Sequence, residues 1–196
     1  LLIDIDPQCN SSRYVLGEAA KDVAPTMAAY FEQMLTFSMF PKAAMSFVHE
    51  TPFENLSIMV CNPEIGDLQS KLESRHKIYK LRDTLNELSK EFDEIFVDTP
   101  PAYNFFSQAA LIGADSCLIP FDCDDFSRQA LYTLINNIKE IKADHNADLA
   151  IEGIVVNQFQ PRASLPRRMV EQLTEEGLPV FENKLSSSIR IRESHE

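Results

Sequence analysis

Four polar side chains stand where predicted strands end. Asp4 and Asp6 end the apolar run LLIDID, Asp98 ends EIFVD, and Asn157 ends IEGIVVN. Ligands of open parallel sheets bind in the crevice beyond the carboxyl ends of the strands, and carboxylate oxygens are hard ligands of the kind that Mg²⁺ prefers. Taken together, the four residues indicate a ligand site at one sheet edge. Because Asp and Asn also punctuate ordinary turns, a purely structural role is the alternative for each residue taken singly.

The elements that must position these residues alternate along the chain. Short apolar runs typical of strands lie at 1–6, 56–62, 94–100, 116–121 and 151–157, with a weaker one at 181–185. Amphipathic spacing predicts helices at 67–90, 104–112, 125–143 and 164–176, and a short helix near 25–36. Strands alternating with helices predict an α/β fold, with a mostly parallel sheet covered by helices on both faces.

The composition is that of a globular protein. The chain has 196 residues, of which 44% are hydrophobic and 24% charged, and no internal repeat or linker divides it, so we expect a single domain over residues 1–196. No apolar run is long enough for a membrane span, and the first residues lack the pattern of a signal peptide. We therefore expect a cytoplasmic protein. The four cysteines lie at spacings that indicate neither a zinc site nor a disulfide framework.

The net charge of −12 is unevenly distributed. Residues 1–160 hold 12 basic and 24 acidic side chains, whereas residues 161–196 hold six of each. The basic side chains of this last segment could form a local face toward a polyanion; a mixed, solvated surface is the alternative. They are Arg162, Arg167, Arg168, Lys184, Arg190 and Arg192.

Several motifs together carry a resemblance to a known family. LLIDIDPQCNSS resembles the switch I segment of the ParA/MinD (Soj-like) family of deviant Walker P-loop ATPases, and EIFVDTPPAYNFF resembles its Walker B and switch II segment. The following ADSCLIP, GIVVNQFQPRASLPRRMVEQL and KLSSSIRIRES resemble later segments of the same family. The resemblance implies a doubly wound P-loop NTPase fold. CobQ/CbiA-like enzymes and the nitrogenase iron protein share much of this pattern.

The resemblance implies roles for the three carboxylates, with ATP and Mg²⁺ as cofactors. Asp98 would hold Mg²⁺ through water, and Asp4 would lie near the metal. Asp6 would orient or activate the attacking water. Carboxylates can serve these roles because phosphoryl transfer needs charge neutralisation and a positioned water.

Further residues match family positions with other roles. Asn157 matches a position that reads the adenine edge, and Pro100 and Pro101 would stiffen switch II. Arg162 and Arg190 match DNA-contacting arginines of the ParA branch. The resemblance thus implies an ATP-dependent homodimer that binds DNA without sequence preference. This dimer would work with a ParB-like or cargo adaptor protein and associate with the nucleoid rather than a membrane. Its function would be to move a plasmid, chromosome region or cargo.

The sequence departs from the family pattern in two places. Cys9 stands where the family usually has Gly, and LSSSIR lacks the usual Pro and Arg. The chain's five glycines build no phosphate-cradling loop. We therefore expect the Walker A segment to lie outside this sequence, the domain to be incomplete at both ends, and this chain alone to be inactive toward ATP.

Two other functions stay open from the sequence. One is a CobQ/CbiA-like synthetase that uses ATP to activate a carboxylate, which would require a glutaminase domain for which this chain has no room. The other is a nucleotide-free adaptor that keeps only the interaction surface. Retention of Asp6 and Asp98 favours the ATPase over the adaptor.

Overall fold

Six strands and seven α-helices form along residues 1–188, which are the residues that the computed structural model describes. The strands are β1 (Leu2–Asp4), β2 (His49–Glu50), β3 (Ser57–Met59), β4 (Phe96–Asp98), β5 (Ser116–Asp122) and β6 (Ala150–Asn157). The helices are α1 (Asn10–Leu16), α2 (Met27–Leu35), α3 (Ile65–Ser74), α4 (Lys80–Leu88), α5 (Phe105–Gly113), α6 (Asp125–Asp144) and α7 (Ser164–Glu175). Short 3₁₀ helices span Gly17–Asp22 and Ala44–Phe47.

The chain divides into two compact units, Leu1–Ala114 and Asp115–Glu196. The first unit contains a four-stranded sheet in the order β2-β3-β1-β4. Strand β1 pairs in parallel with both β3 and β4, and β2 pairs antiparallel at the edge. Ile3 and Ile58 have no exposed surface, because the central strands of a parallel sheet are buried on both faces.

The helices of the first unit pack through aromatic contacts between α2 and α5 and through a close contact between α4 and α5. Phe31 of α2 meets Phe106 of α5 edge to face, with ring centroids 5.5 Å apart. At the end of α5, a Cβ added to Gly113 would lie 2.8 Å from Leu85 Cδ1 and 2.9 Å from Arg82 Cα. Helices α4 and α5 therefore approach so closely that only glycine fits at this position.

The second unit is built on two long strands. Strands β5 and β6 run parallel, with Ser116 opposite Ala150 at one end and Asp122 opposite Asn157 at the other. The apolar spacing of helix α6 predicts a buried stripe of Leu131, Leu134, Ile135, Ile138 and Ile141; all of these are buried except Leu134, which is half-buried. A polar network then ties α6 to α7, in which Arg128 donates to Gln172 Oε1 (2.9 Å) and the Tyr132 hydroxyl donates to Glu176 Oε2 (2.6 Å).

The structure confirms the predicted α/β fold with its mostly parallel strands, and it corrects two elements. The helix predicted over 67–90 is two helices, α3 and α4, separated at 75–79, where His76 has φ 52°. The strand predicted at 181–185 does not form; the chain there makes only isolated bridges, at Val180 and Ser186. Pro179 has no N–H to donate to a ladder, and the Phe181 ring lies over Gly153.

Within residues 1–188, none of the helices is both long and apolar enough to cross a lipid bilayer.

Candidate functional site

The register of the central strands brings two of the predicted carboxylates together. Leu2, Ile3 and Asp4 of β1 lie opposite Phe96, Val97 and Asp98 of β4. The ladder continues past the strand, since the Ile5 N–H donates to the Asp98 carbonyl at 3.0 Å. Asp4 and Asp98 are therefore neighbours at the carboxyl edge of the sheet, where ligands of parallel sheets bind.

Asp4 is fully buried, and both of its carboxylate oxygens accept hydrogen bonds. Oδ1 accepts from the Asp6 N–H (3.1 Å), and Oδ2 accepts from the N–H (2.8 Å) and the hydroxyl (2.6 Å) of Ser12. Burial raises the pKa of Asp4, and these hydrogen bonds oppose the rise. Asp4 thus fastens both ends of the loop that follows β1. The metal-proximal role expected for Asp4 stays a prediction.

A turn fixes the segment between these two ends, which carries Asp6. The Cys9 N–H donates to the Asp6 carbonyl at 2.8 Å, closing the turn over Pro7 and Gln8, and the Gln8 N–H donates to Asp6 Oδ1 at 3.0 Å. Cys9 has φ 56°, a left-handed conformation that costs non-glycine residues about 1 to 2 kcal/mol. The conformation explains why the family usually has Gly here, and the Cys9 side chain is buried.

Asp6 itself is only half-buried and keeps one oxygen available. Within the described part of the chain, its Oδ1 accepts from Gln8 and its Oδ2 accepts no hydrogen bond. A carboxylate oxygen that accepts no hydrogen bond from the described residues, on a turn bonded to Asp4, is suited to hold a water molecule. This geometry is compatible with the water-orienting role that the resemblance implies for Asp6.

Two adjacent serines of α1 connect the site, and sequence reasoning missed both. The Ser11 hydroxyl donates to Asp98 Oδ2 at 2.7 Å. The Ser12 hydroxyl accepts from the Cys61 N–H at 2.9 Å, besides donating to Asp4. Helix α1 is therefore bonded to the last residues of β1 and β4 and to Cys61, two residues after β3. The signal in the sequence was a pair of adjacent hydroxyl residues separated from D-P-Q by two residues.

The segment that follows β4, which the resemblance matches to switch II, is held by side chains at the start of α5. Asn104 caps α5, because its side-chain oxygen accepts from the Phe106 N–H (3.0 Å) and the Ser107 N–H (3.3 Å). The Ser107 hydroxyl lies 3.2 Å from the Pro100 carbonyl and 2.6 Å from the Ala102 carbonyl.

The two prolines of switch II have different surroundings. Pro100 is buried, whereas Pro101 is exposed. Hydrogen bonds from Ser107 of α5 hold the segment, and its stiffening by the two prolines stays a prediction.

The carboxylates fit a Mg²⁺ ion that takes most of its ligands from phosphate and water. Among residues 1–188, no three His, Cys, Asp or Glu side chains converge as a set of metal ligands. Asp98 is half-buried and has one oxygen without a hydrogen bond in that part of the chain. Mg²⁺ in nucleotide sites is held by one or two carboxylates together with phosphates and waters, and Asp98 suits that arrangement.

One cleft of the first unit lies away from these carboxylates. Its volume is about 650 Å³, and its lining includes Leu1, Ser57 and Phe96, at the starts of the strands or directly before them. Asp4 and Asp98 lie at the opposite ends of their strands. The candidate site is therefore identified by the chemistry of its residues and not by the size of a cleft.

The other predicted site residues lie in the second unit or beyond the described residues. Asn157 is the last residue of β6, beside a cleft of about 490 Å³ whose lining includes Asp122, Gln158 and Gln160. Arg162 is exposed in the turn before α7. Arg190 lies outside the described residues. The roles in adenine recognition and DNA contact stay predictions.

Comparison with known proteins supports the assignment that these motifs indicated. The family model for an AAA domain matches residues 1–151. The chromosome partitioning protein ParA of Myxococcus xanthus is 30% identical over 174 residues, which is 88% of this chain and 59% of that protein. The chain thus spans less than two thirds of the length of this relative.

Solved structures share the fold at lower sequence identity. McdA of Cyanothece, as a variant in complex with ATP, superposes with a TM-score of 0.85 at 20% identity, over 99% of this chain and 74% of that one. Cobyrinic acid a,c-diamide synthase of Mycobacterium smegmatis, with bound ATP analogue and magnesium, gives 0.83 at 18% identity, over 95% and 74%. At these identities the likeness is one of fold. Together with the match over residues 1–151, the motifs show that the chain belongs to the AAA domain family, and within it to the ParA/MinD-like P-loop ATPases.

Proposed function

We propose that this protein is an ATP-dependent dimerising switch that partitions a plasmid or chromosome region, or positions a cargo on the nucleoid. The observation that carries the proposal is the pairing of β1 with β4, which places Asp98 beside Asp4 and the Asp6 turn. The similarity to a chromosome partitioning ParA supports the same proposal.

The residues at the sheet edge divide the work of ATP hydrolysis between them. Asp98 would hold Mg²⁺ through water, and the ion, when bound, neutralises the charge of the terminal phosphates. Asp6 offers its unbonded oxygen to orient the attacking water. Asp4 keeps the Asp6 turn in place through its bonds to Asp6 and Ser12. In the second unit, Asn157 at the end of β6 would contact the adenine edge.

Dimerisation is the first consequence that can be tested. In the protein as its gene encodes it, ATP with Mg²⁺ should double the mass measured by light scattering, and ADP should not. Asp6→Ala should accumulate as the ATP-bound dimer, because nucleotide binds and is not hydrolysed. A mass that stays the same with ATP in both proteins would contradict the proposed switch.

DNA binding is the second consequence, and Arg162 is the described residue that bears on it. A dimer presents each arginine twice on one surface, so binding should be far weaker without ATP. Guanidinium groups pair well with phosphate. With ATP, random duplex DNA should bind in fluorescence anisotropy, with an affinity that falls steeply as salt rises.

Arg162→Ala should lower the slope of log affinity against log salt by roughly 1 to 2 per dimer and leave ATP binding intact. Lys139→Ala, which removes an exposed charge of α6, is the matched control and should leave the slope unchanged. If the wild type shows no ATP-dependent DNA binding near 50 mM salt, roughly the range where such contacts are strongest, the proposed partitioning on the nucleoid is wrong. A ParB-like or other cargo adaptor is the further partner that we propose.

The synthetase and the adaptor are less well supported. The likeness to cobyrinic acid a,c-diamide synthase is one of fold, at 18% identity. An adaptor without nucleotide would have no use for the carboxylates Asp4 and Asp98 placed side by side at the end of the sheet. Calorimetry with ATP and Mg²⁺ distinguishes the synthetase from the adaptor, because a synthetase would bind ATP and a nucleotide-free adaptor would not.

A further inference from the structure

Asp98 makes a single side-chain hydrogen bond in residues 1–188, and its donor is Ser11. The Ser11 hydroxyl lies 2.7 Å from Asp98 Oδ2, a distance typical of a strong bond from a hydroxyl to a carboxylate. Both residues are half-buried. A bond to one oxygen restricts the rotation of the carboxylate and leaves Oδ1 able to accept from a ligand.

Ser11 is itself held in place by its neighbours. The turn closed by the Cys9 N–H precedes it, and Ser12, the next residue, is buried and bonded to both Asp4 and the Cys61 N–H. The backbone that carries the Ser11 hydroxyl is therefore held in place by the bonds of Ser12 to Asp4 and to the Cys61 N–H. Helix α1 thereby connects the segment that carries Asp6 to the carboxylate at the end of β4.

We propose that Ser11 is a positioning residue for the metal site: it orients Asp98 so that Oδ1 receives a Mg²⁺-bound water, and it couples metal occupancy to the Asp6 turn. Carboxylates that serve metal ions are commonly held by a second hydrogen bond, and loss of that partner costs 10- to 100-fold in metal affinity. The inference rests on the proposed function, because it needs Asp98 to serve Mg²⁺.

Metal affinity measured without turnover tests the proposal. With the protein as its gene encodes it and ADP present, Mn²⁺ binding is followed by electron paramagnetic resonance for the wild type, Ser11→Ala, Ser11→Thr and Asp98→Asn. Ser11→Ala should weaken Mn²⁺ binding by about tenfold, whereas Ser11→Thr, which keeps the hydroxyl, should stay within about twofold of the wild type. Asp98→Asn should weaken binding more than Ser11→Ala.

A second readout separates positioning from a general loss of structure. Mn²⁺ should slow hydrogen exchange of the amides at 6–12 in the wild type and in Ser11→Thr, but not in Ser11→Ala. At saturating Mg²⁺, Ser11→Ala should regain wild-type ATP affinity, which a misfolded site would not do.

Two results overturn the inference, and they are distinguishable. If the wild type binds metal with nucleotide and Ser11→Ala binds it equally well, Ser11 does not position Asp98, and the proposed function stands. If the wild type shows no metal-dependent nucleotide binding, the proposed function fails, and the role of Ser11 fails with it.

Discussion

Replacing Ser12 with alanine removes one oxygen atom from the centre of the site and should strongly destabilise the protein. That hydroxyl donates to Asp4 Oδ2 at 2.6 Å and accepts from the Cys61 N–H at 2.9 Å, and Ser12 has no exposed surface. A hydrogen bond to a charged group contributes about 1.5 to 3 kcal/mol, and a buried N–H left unpaired costs about 1 to 3 kcal/mol. The expected loss is about 3 to 5 kcal/mol, a large part of the roughly 5 to 15 kcal/mol that keeps a domain folded.

Urea unfolding followed by circular dichroism measures the free energy of unfolding for wild type and Ser12→Ala. Ser11→Ala is the matched control, because it removes the neighbouring hydroxyl from a half-buried position with one bond and leaves no buried N–H unpaired; it should cost no more than about 1.5 to 3 kcal/mol. Should Ser12→Ala fail to fold, the Cys61 amide of the wild type should still be among the slowest in hydrogen exchange. Equal losses in the two variants, or a fast Cys61 amide, would refute the reasoning.

Three other substitutions test separate parts of the fold. Asp4→Asn should be destabilising by about 1 to 3 kcal/mol at pH 7, because an amide cannot accept all three hydrogen bonds. Burial raises the pKa of Asp4 in the folded state. The wild type should therefore lose part of its stability advantage over Asp4→Asn as pH rises from the pKa of an unfolded Asp, about 3.9, through the folded-state pKa. A stability advantage that grows over this range would contradict the raised pKa. Gly113→Ala should cost about 1 to 3 kcal/mol in urea unfolding, because its Cβ would meet the Arg82 backbone, and an unchanged stability would show that α4 and α5 can separate. Asn104→Ala should cost about 1 kcal/mol through loss of the α5 cap, and no change in melting temperature would count against that cap.

The sequence pattern predicted the elements that have strong periodicity. Helix α6 and its buried stripe follow from the spacing of apolar residues, and β5 and β6 follow from continuous apolar runs. The break between α3 and α4 was not predicted, because the apolar period continues across it while His76 takes a left-handed conformation. Helix α1 was missed because seven residues are too few to show a period.

The candidate site was predicted in part for a similar reason. Strand-end carboxylates can be located along a sequence, so Asp4, Asp6 and Asp98 were identified. Their partners could not be, since Ser12 reaches Cys61 across 49 positions and Ser11 reaches Asp98 across 87. Register between strands decides these contacts, and register is a property of the folded sheet.

The measurement that tests the account most directly is the rate of Mg²⁺-dependent ATP hydrolysis by the protein as its gene encodes it, compared with Asp6→Ala. Gln8→Ala, an exposed neighbour on the same turn, serves as the control. We expect slow turnover in the wild type and the control, and no turnover above background in Asp6→Ala while ATP still binds. Wild-type turnover in Asp6→Ala would contradict the role given to the carboxylates at the end of β1.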